Sequence, residues 1–217
     1  MKVKRIFSLI GLLCTLASCA HEYSEEFTRY YEDGRAKPNV VIAPIIDTSS
    51  ITDLSWSLPE ELLEKILAKV ALKSTLYVNK EEGINQIPYA ENPFGQDLSW
   101  IRQEYAPHEF VVFLEIAQHE IVKQKPGRIS SPSNLNMAVR LRIVDIRGPK
   151  PTIVLQELIK DSFYINKNVL DIDYAEVVWG SDRYRRTPMH TAHERICKEI
   201  TTRLNDYILL AKSRFHG

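Results

Sequence analysis

An α+β domain, with a mixed sheet of about five strands and two main helices packed on it, is predicted by three features of the sequence. Two short runs, "NVVIAPIID" and "EFVVFLEI", are rich in β-branched residues and lack a polar face, as strands buried inside a sheet do. Residues 58–71 and 189–208 instead carry apolar side chains every three or four positions, the mark of a helix with one face on a core. Residues 135–162 alternate and are broken once by "RGPKP", which gives an antiparallel pair. The predicted order is strand, helix, strand, short helix, three strands, helix.

The first strand covers Asn39 to Asp47, and Pro44 marks an irregularity near its end because proline cannot donate to a ladder. "TSSITDLSWS" turns the chain. Ser57-Leu58-Pro59-Glu60 then fits a capping box, so a helix starts there, with Leu58, Leu62, Ile66 and Val70 on its apolar stripe and Glu60, Glu64, Lys65 and Lys69 toward water. "STLYVN" supplies a second strand, parallel to the first by the usual right-handed crossover. Residues 80–97 form a long connection, and Asp97 caps a short helix reaching Tyr105, with Leu98 and Ile101 on the same side. A central strand follows over Glu109 to Gln124. In the next strand Leu135, Met137, Val139, Leu141 and Ile143 face inward against Asn136, Arg140 and Arg142 on a wet face. "TIVLQELIKDSFYI" pairs antiparallel with it. Residues 166–186 read as a loop, after which Thr187 as cap and Pro188 at the first helical position open a helix running to about Lys212. Met189, Ala192, Ile196, Ile200, Leu204 and Ile208 form its stripe.

The N-terminus carries a different signal. Lys2, Lys4 and Arg5 precede a mainly apolar stretch, Ile6 to Ala17. As a helix those residues would reach roughly 18 Å, short of the roughly 30 Å hydrocarbon layer, so they read as a cleaved export leader and not as a membrane span. The leader ends in Leu16-Ala17-Ser18-Cys19, and this resembles the lipobox of bacterial lipoproteins. The resemblance implies removal of residues 1–18, acylation of Cys19 and membrane attachment through its lipid; Ser18 departs from the Gly or Ala more usual there. Each buried methylene contributes about 0.8 kcal/mol, so more than one chain gives stable anchoring. Residues 19–38 then form a lipidated tether and residues 39–217 a single globular domain. Ala20, in place of the Asp that tends to retain enterobacterial lipoproteins at the inner membrane, points to the outer membrane, facing the periplasm.

Charge and cysteines narrow the class further. The 28 basic residues less the three in the leader leave 25 against 28 acidic, a net charge of −3, which gives no electrostatic reason to bind nucleic acid. Cys14 leaves with the leader and Cys19 carries lipid, so Cys197 stays alone as a buried thiol and no disulfide is expected. The element order, carried by "VVIAPIIDTSS", "LPEELLEKILAKVALKSTLYVNKEE", "HEFVVFLEI" and the closing meander, resembles the periplasmic folds of the TolB N-terminal domain, of LpoB and of the globular part of CsgG.

No pattern requires catalysis. There is no Gly-x-Ser-x-Gly elbow, "SSPS" at 130–133 is turn chemistry, and the eight glycines form no phosphate loop. His190, His193 and Glu194 could share a helix face as a partial zinc shell, but the His-Glu-x-x-His spacing is missing. His108 and His119 have no partner motif, and nothing places Asp171 and Asp173 in a cleft. The expectation is therefore no enzyme, no metal and no cofactor. Trp179, Arg183, Tyr184, Arg185 and Arg186 form the candidate partner-binding patch, since Trp, Tyr and Arg dominate interface hot spots and the run adjoins a helix start. The expected function is a membrane-anchored factor that binds, assembles or activates another envelope protein, or binds an anionic envelope polymer. A CsgG-like secretion pore is one alternative, although "QELIKDS" breaks the outward apolar band of a barrel strand. A hydrolase or metal enzyme is the other.

Overall fold

The computed structural model describes residues 28–49, 54–78, 86–123, 132–165 and 172–214. The expected leader, Cys19 and the first part of the tether lie outside the described residues, as do Asp171 and most of the serine cluster. The elements are β1 (Asn39–Ile42), β2 (Ile46–Asp47), α1 (Leu58–Lys73), β3 (Tyr77–Val78), α2 (Ser99–Glu104), β4 (Phe110–Lys123), β5 (Ser133–Asp145), β6 (Thr152–Ile165), a 3-10 turn (Tyr174–Glu176), α3 (Asp182–Arg185) and α4 (Pro188–Arg214). The α+β class and the mixed sheet with two main helices hold. The sheet order is β3-β1-β4-β5-β6, with β2 also on β4. β1 is parallel to β3 and β4, and β4, β5 and β6 form an antiparallel meander.

Pro44 does what its missing N–H dictates. The expected single strand is broken around it, and the register against β4 slips by one residue, from Ile42↔Val112 to Ile46↔Glu115. Ser57 caps α1 by accepting from the Glu60 N–H at 3.4 Å. A cap contributes about 1 kcal/mol, whereas burying each of Leu58, Leu62, Ile66 and Val70 contributes roughly 1.5–3 kcal/mol, so packing decides that this helix persists. Those residues meet the α4 stripe, from Met189 to Ile208, over the inner side chains of β1, β4 and β5.

The opposite sheet face is not wet along its whole length, as alternation had implied. Val41, Val111, Phe113 and Val144 pack beneath Ile101 and Tyr105 in a second core. Arg142, expected in solvent, is buried there. Its guanidinium donates to the carbonyls of Pro93, Phe94 and Gly95 at 2.7–2.9 Å and to Gln156 Oε1 at 2.7 Å, pinning the long connection to the sheet. A buried guanidinium is tolerated where its donors are satisfied, and carbonyls satisfy them here.

The two ends of the body differ. The described part of the expected tether folds onto the body: Tyr31 Oη donates to Thr75 O at 2.8 Å, and buried Lys37 donates to Ser74 Oγ beyond the end of α1. Glu109, at the start of β4, pairs with Lys212 near the end of α4. At the other end lie the starts of α1 and α4, joined by the 172–187 segment.

Candidate functional site

A one-residue bulge sets up the most unusual cluster in the molecule. β4 pairs Ile116 with Val139 but Gln118 with Ala138, leaving Ala117 as the extra residue. Because side chains alternate with period two, the bulge swaps faces: His119 turns beneath the helices opposite Met137, and Gln118 turns outward. Above His119, α4 brings His193 from its second turn, α1 brings Glu61 from its first turn, and α3 brings Tyr184. The four side chains are all at most 1% exposed.

They form a chain of hydrogen bonds. His193 Nδ1 donates to Glu61 Oε1 at 2.8 Å, and His193 Nε2 faces His119 Nε2 at 2.9 Å. The Tyr184 hydroxyl donates to the same Glu61 oxygen, and Trp56 Nε1 donates to Oε2 at 2.7 Å. Burial by itself would raise the Glu61 pKa, but the bonds from His193, Tyr184 and Trp56, with the His193 charge, outweigh it and hold the carboxyl below its ordinary value. Burial pushes His119 down to about 3, with His193 acting in the same direction, so His119 is neutral at physiological pH. Burial and the adjacent Glu61 charge keep the Tyr184 phenol far above its ordinary range, as a donor. His119 Nδ1 is buried without a hydrogen-bond partner among the described residues.

A carboxylate, two imidazoles and a phenol in series can hold a proton, and all four side chains are deeply covered. The arrangement acts as a latch joining α1, α3, α4 and β4. The histidine–glutamate group considered as a zinc shell is divided by it. His193 belongs to the latch, whereas His190 Nδ1 and Glu194 Oε1 face the Lys65 ammonium, at 3.2 and 2.7 Å, and Lys69 reaches Glu194 Oε2 at 2.5 Å. Burial works against the Glu194 charge, yet the two lysines hold its pKa down to about 2. Among the described residues no group of three His, Cys, Asp or Glu side chains could hold a metal ion. Cys197 is buried, with Sγ 3.8 Å from Leu62 O, and burial followed by the Glu61 charge pushes its thiol well up.

The candidate patch sits directly over this latch. The sequence predicts a loop over residues 166–186, but 182–185 form a helical turn, capped where Ser181 Oγ accepts from Tyr184 N at 3.1 Å. Gly180, at φ 77°, supplies the left-handed residue before it, a conformation that L side chains rarely adopt. Thr187 joins the turn to α4, donating to Tyr184 O at 2.8 Å and accepting from His190 N at 3.1 Å. Of the five patch residues, Arg183, Arg185 and Arg186 point outward and Trp179 is half-buried. Tyr184 does not belong to the surface; it is the inward peg. The Arg185 guanidinium makes a 3.5 Å solvent-exposed contact with Asp182.

Sequence reasoning passes over Glu61 and gives His119 no partner. Glu61 stands on the α1 stripe, three residues after Leu58 and beside Leu62, and a lone carboxylate in that position is a readable sign of a buried polar contact. His119 carried no such sign, because its facing depends on the bulge.

Among solved structures, the chain is similar to the hypothetical protein CT253 from Chlamydia trachomatis, with 26% identity and a TM-score of 0.64 over 80% of this chain and 98% of that one. Looser likenesses include lipoprotein GNA1162 from Neisseria meningitidis (15% identity, TM-score 0.39, 60% of this chain and 85% of that one). A minor lipoprotein from Acinetobacter baumannii has 8% identity and a TM-score of 0.39 over 77% and 92% of the two chains. No curated protein matches. A family of unknown function, DUF7499, is matched over residues 26–212, and the chain belongs to that family.

Proposed function

We propose that the protein is a bacterial envelope lipoprotein, held to the outer membrane by acyl chains on Cys19, whose folded body acts without catalysis by docking on another envelope protein. The lipobox-like Leu-Ala-Ser-Cys supports the anchor. The likeness of the element order to LpoB and to the TolB N-terminal domain favours an assembly or activation role. The docking reading rests on one observation above the rest: Tyr184 is pegged onto Glu61, so the turn around it presents Arg183, Arg185 and Arg186 outward from a fixed base. A turn whose backbone is already fixed loses less entropy on binding than a free loop would, which favours an interface patch. A protein partner fits better than an anionic polymer, because half-buried Trp179 adds apolar area beside the guanidinium groups.

Crosslinking of the lipidated protein in its native envelope tests this. One dominant partner is expected, with its yield reduced by Trp179→Ala and by Arg185→Ala; unchanged crosslinks in both variants would remove this turn as the docking surface. Mass spectrometry of the mature N-terminus tests the anchor, which fails if residue 19 is unmodified or Met1 is retained.

A further inference from the structure

Residues 28–38, 73–78, 107–110, 145–152 and 206–214 meet at one end of the body. Tyr77 N donates to Pro38 O and Ile146 N to Glu109 O, both at 3.0 Å. Asn39 Nδ2 donates to Pro107 O at 2.9 Å, and the Arg147 guanidinium donates to Ala211 O at 3.0 Å. The described chain enters at this pole, at residue 28.

The charge of this pole is one-sided. The described residues hold 21 bases and 21 acids in all, yet these five segments hold eight bases against five acids, a local surplus of three. Asp33 pairs with Arg35, Asp145 with Arg147 and Glu109 with Lys212; Glu32 and Asp206 are the other two acids. Lys37 is buried against the hydroxyls of Thr28 and Ser74, and Arg29 lies over the Tyr77 ring at 5.1 Å. Lys73, Lys150 and Arg214 are left. Each is exposed and has no ion pair among the described residues.

Large apolar side chains stand among these bases. Leu72, beside Lys73, is 81% exposed, and Tyr30 is 62% exposed. Leu210 and Arg214 line a recess of about 350 Å³ between the start of β6 and the end of α4, together with Val154 and Tyr207. Apolar groups interleaved with unpaired bases suit a leaflet, where hydrocarbon lies beneath a layer of negative charge. Tyrosine rings settle at the headgroup level of such a surface. The reach of the chain agrees: from Cys19 to Thr28 the backbone spans at most roughly 32 Å, so a lipid on Cys19 holds this pole close to the leaflet and raises its effective concentration there.

We propose that this pole docks on the anionic phospholipid surface that holds the anchor. Lys73, Lys150 and Arg214 meet the lipid phosphates, and Leu72 and Tyr30 enter the headgroup layer. The proposal rests on the anchor reading and goes beyond it, because a tether alone does not set which end of the body faces the leaflet. The arginine turn takes no part in this contact.

Spin labelling of the lipidated protein tests the proposal, in vesicles of phosphatidylcholine alone or mixed with phosphatidylglycerol. A nitroxide is placed at Leu72→Cys or, as a control beside the arginine turn, at exposed Val178→Cys; Cys197 is buried and Cys19 carries lipid, so each protein takes one label. Collision of the Leu72→Cys label with an aqueous nickel chelate is expected to fall about threefold when phosphatidylglycerol is present, with the Val178→Cys label unchanged. Lys73→Glu, Lys150→Glu and Arg214→Glu together should restore it. Equal exposure in the two vesicles, an equal fall at Val178→Cys, or a fall that survives charge reversal overturns the contact. A fall that tracks the protein-to-lipid ratio shows a second copy on this pole and overturns it as well. Mass spectrometry of the same sample separates the two readings. An unmodified residue 19 removes the anchor and this proposal with it, whereas acylated protein with a fully exposed label removes the contact alone.

Discussion

The Tyr184 hydroxyl donates to Glu61 across 123 residues of sequence, tying the turn that carries three exposed arginines to the first turn of α1. Because Glu61 also accepts from His193 and Trp56, this carboxylate sets the positions of three separate segments.

Removing the peg should therefore loosen the turn before it unfolds the body. Tyr184→Phe keeps the ring but takes one donor from a buried carboxylate, at a cost of about 1–3 kcal/mol. Urea unfolding should show that loss, and exchange of the 181–187 amides should accelerate more than that of the β4 amides.

Acid should weaken the fold in a defined direction. His119 titrates near 3 in the folded protein against 6.5 for a free histidine, so between those values the unfolded chain binds a proton that the native state does not. Stability is then complete above pH 6.5 and falls by about 1.4 kcal/mol per unit as pH drops toward 3. Glu61 adds a loss of the same sign below its ordinary 4.5. Chemical denaturation from pH 7 to 4 should follow this slope, and His119→Phe should flatten it.

Arg142 gives a prediction at a distance from the latch. Arg142→Leu removes the donors that hold residues 93–95 and strands a set of carbonyls, with an expected cost of about 2–3 kcal/mol. Limited proteolysis should then cut between 86 and 98 while β4 and β5 stay protected.

Cys197 reports on global opening. Its buried, raised thiol should resist alkylation in the native state, and its labelling rate should follow denaturant dependence in parallel with unfolding. Rapid labelling of native protein would contradict the packing of α4 on Leu62.

Sequence patterns carried most of the framework, because the elements are set by local chemistry: Ser57 and Thr187 as caps, Pro44 as a break, and the four-residue spacing of Leu58, Leu62, Ile66 and Val70. Long-range facts were out of reach. Nothing near Arg142 shows that carbonyls some fifty residues earlier will cover it, and nothing near His119 reveals the bulge that inverts its facing. The sequence places Tyr184 in the partner-binding patch, whereas the structure buries it against Glu61, a contact that local periodicity does not reveal. His193 was noticed for its neighbours on the helix, whereas its partners come from α1 and β4.

The length of α4 has a consequence for reach. Its 27 residues extend roughly 40 Å, with Thr187 and the arginine turn at one extremity and Lys212, beside the segment leading in from residue 28, at the other. The described chain thus enters, at residue 28, near the pole opposite the arginine turn. With the proposed anchor at Cys19, this polarity favours a partner that reaches the arginines from above the leaflet or from across the aqueous gap.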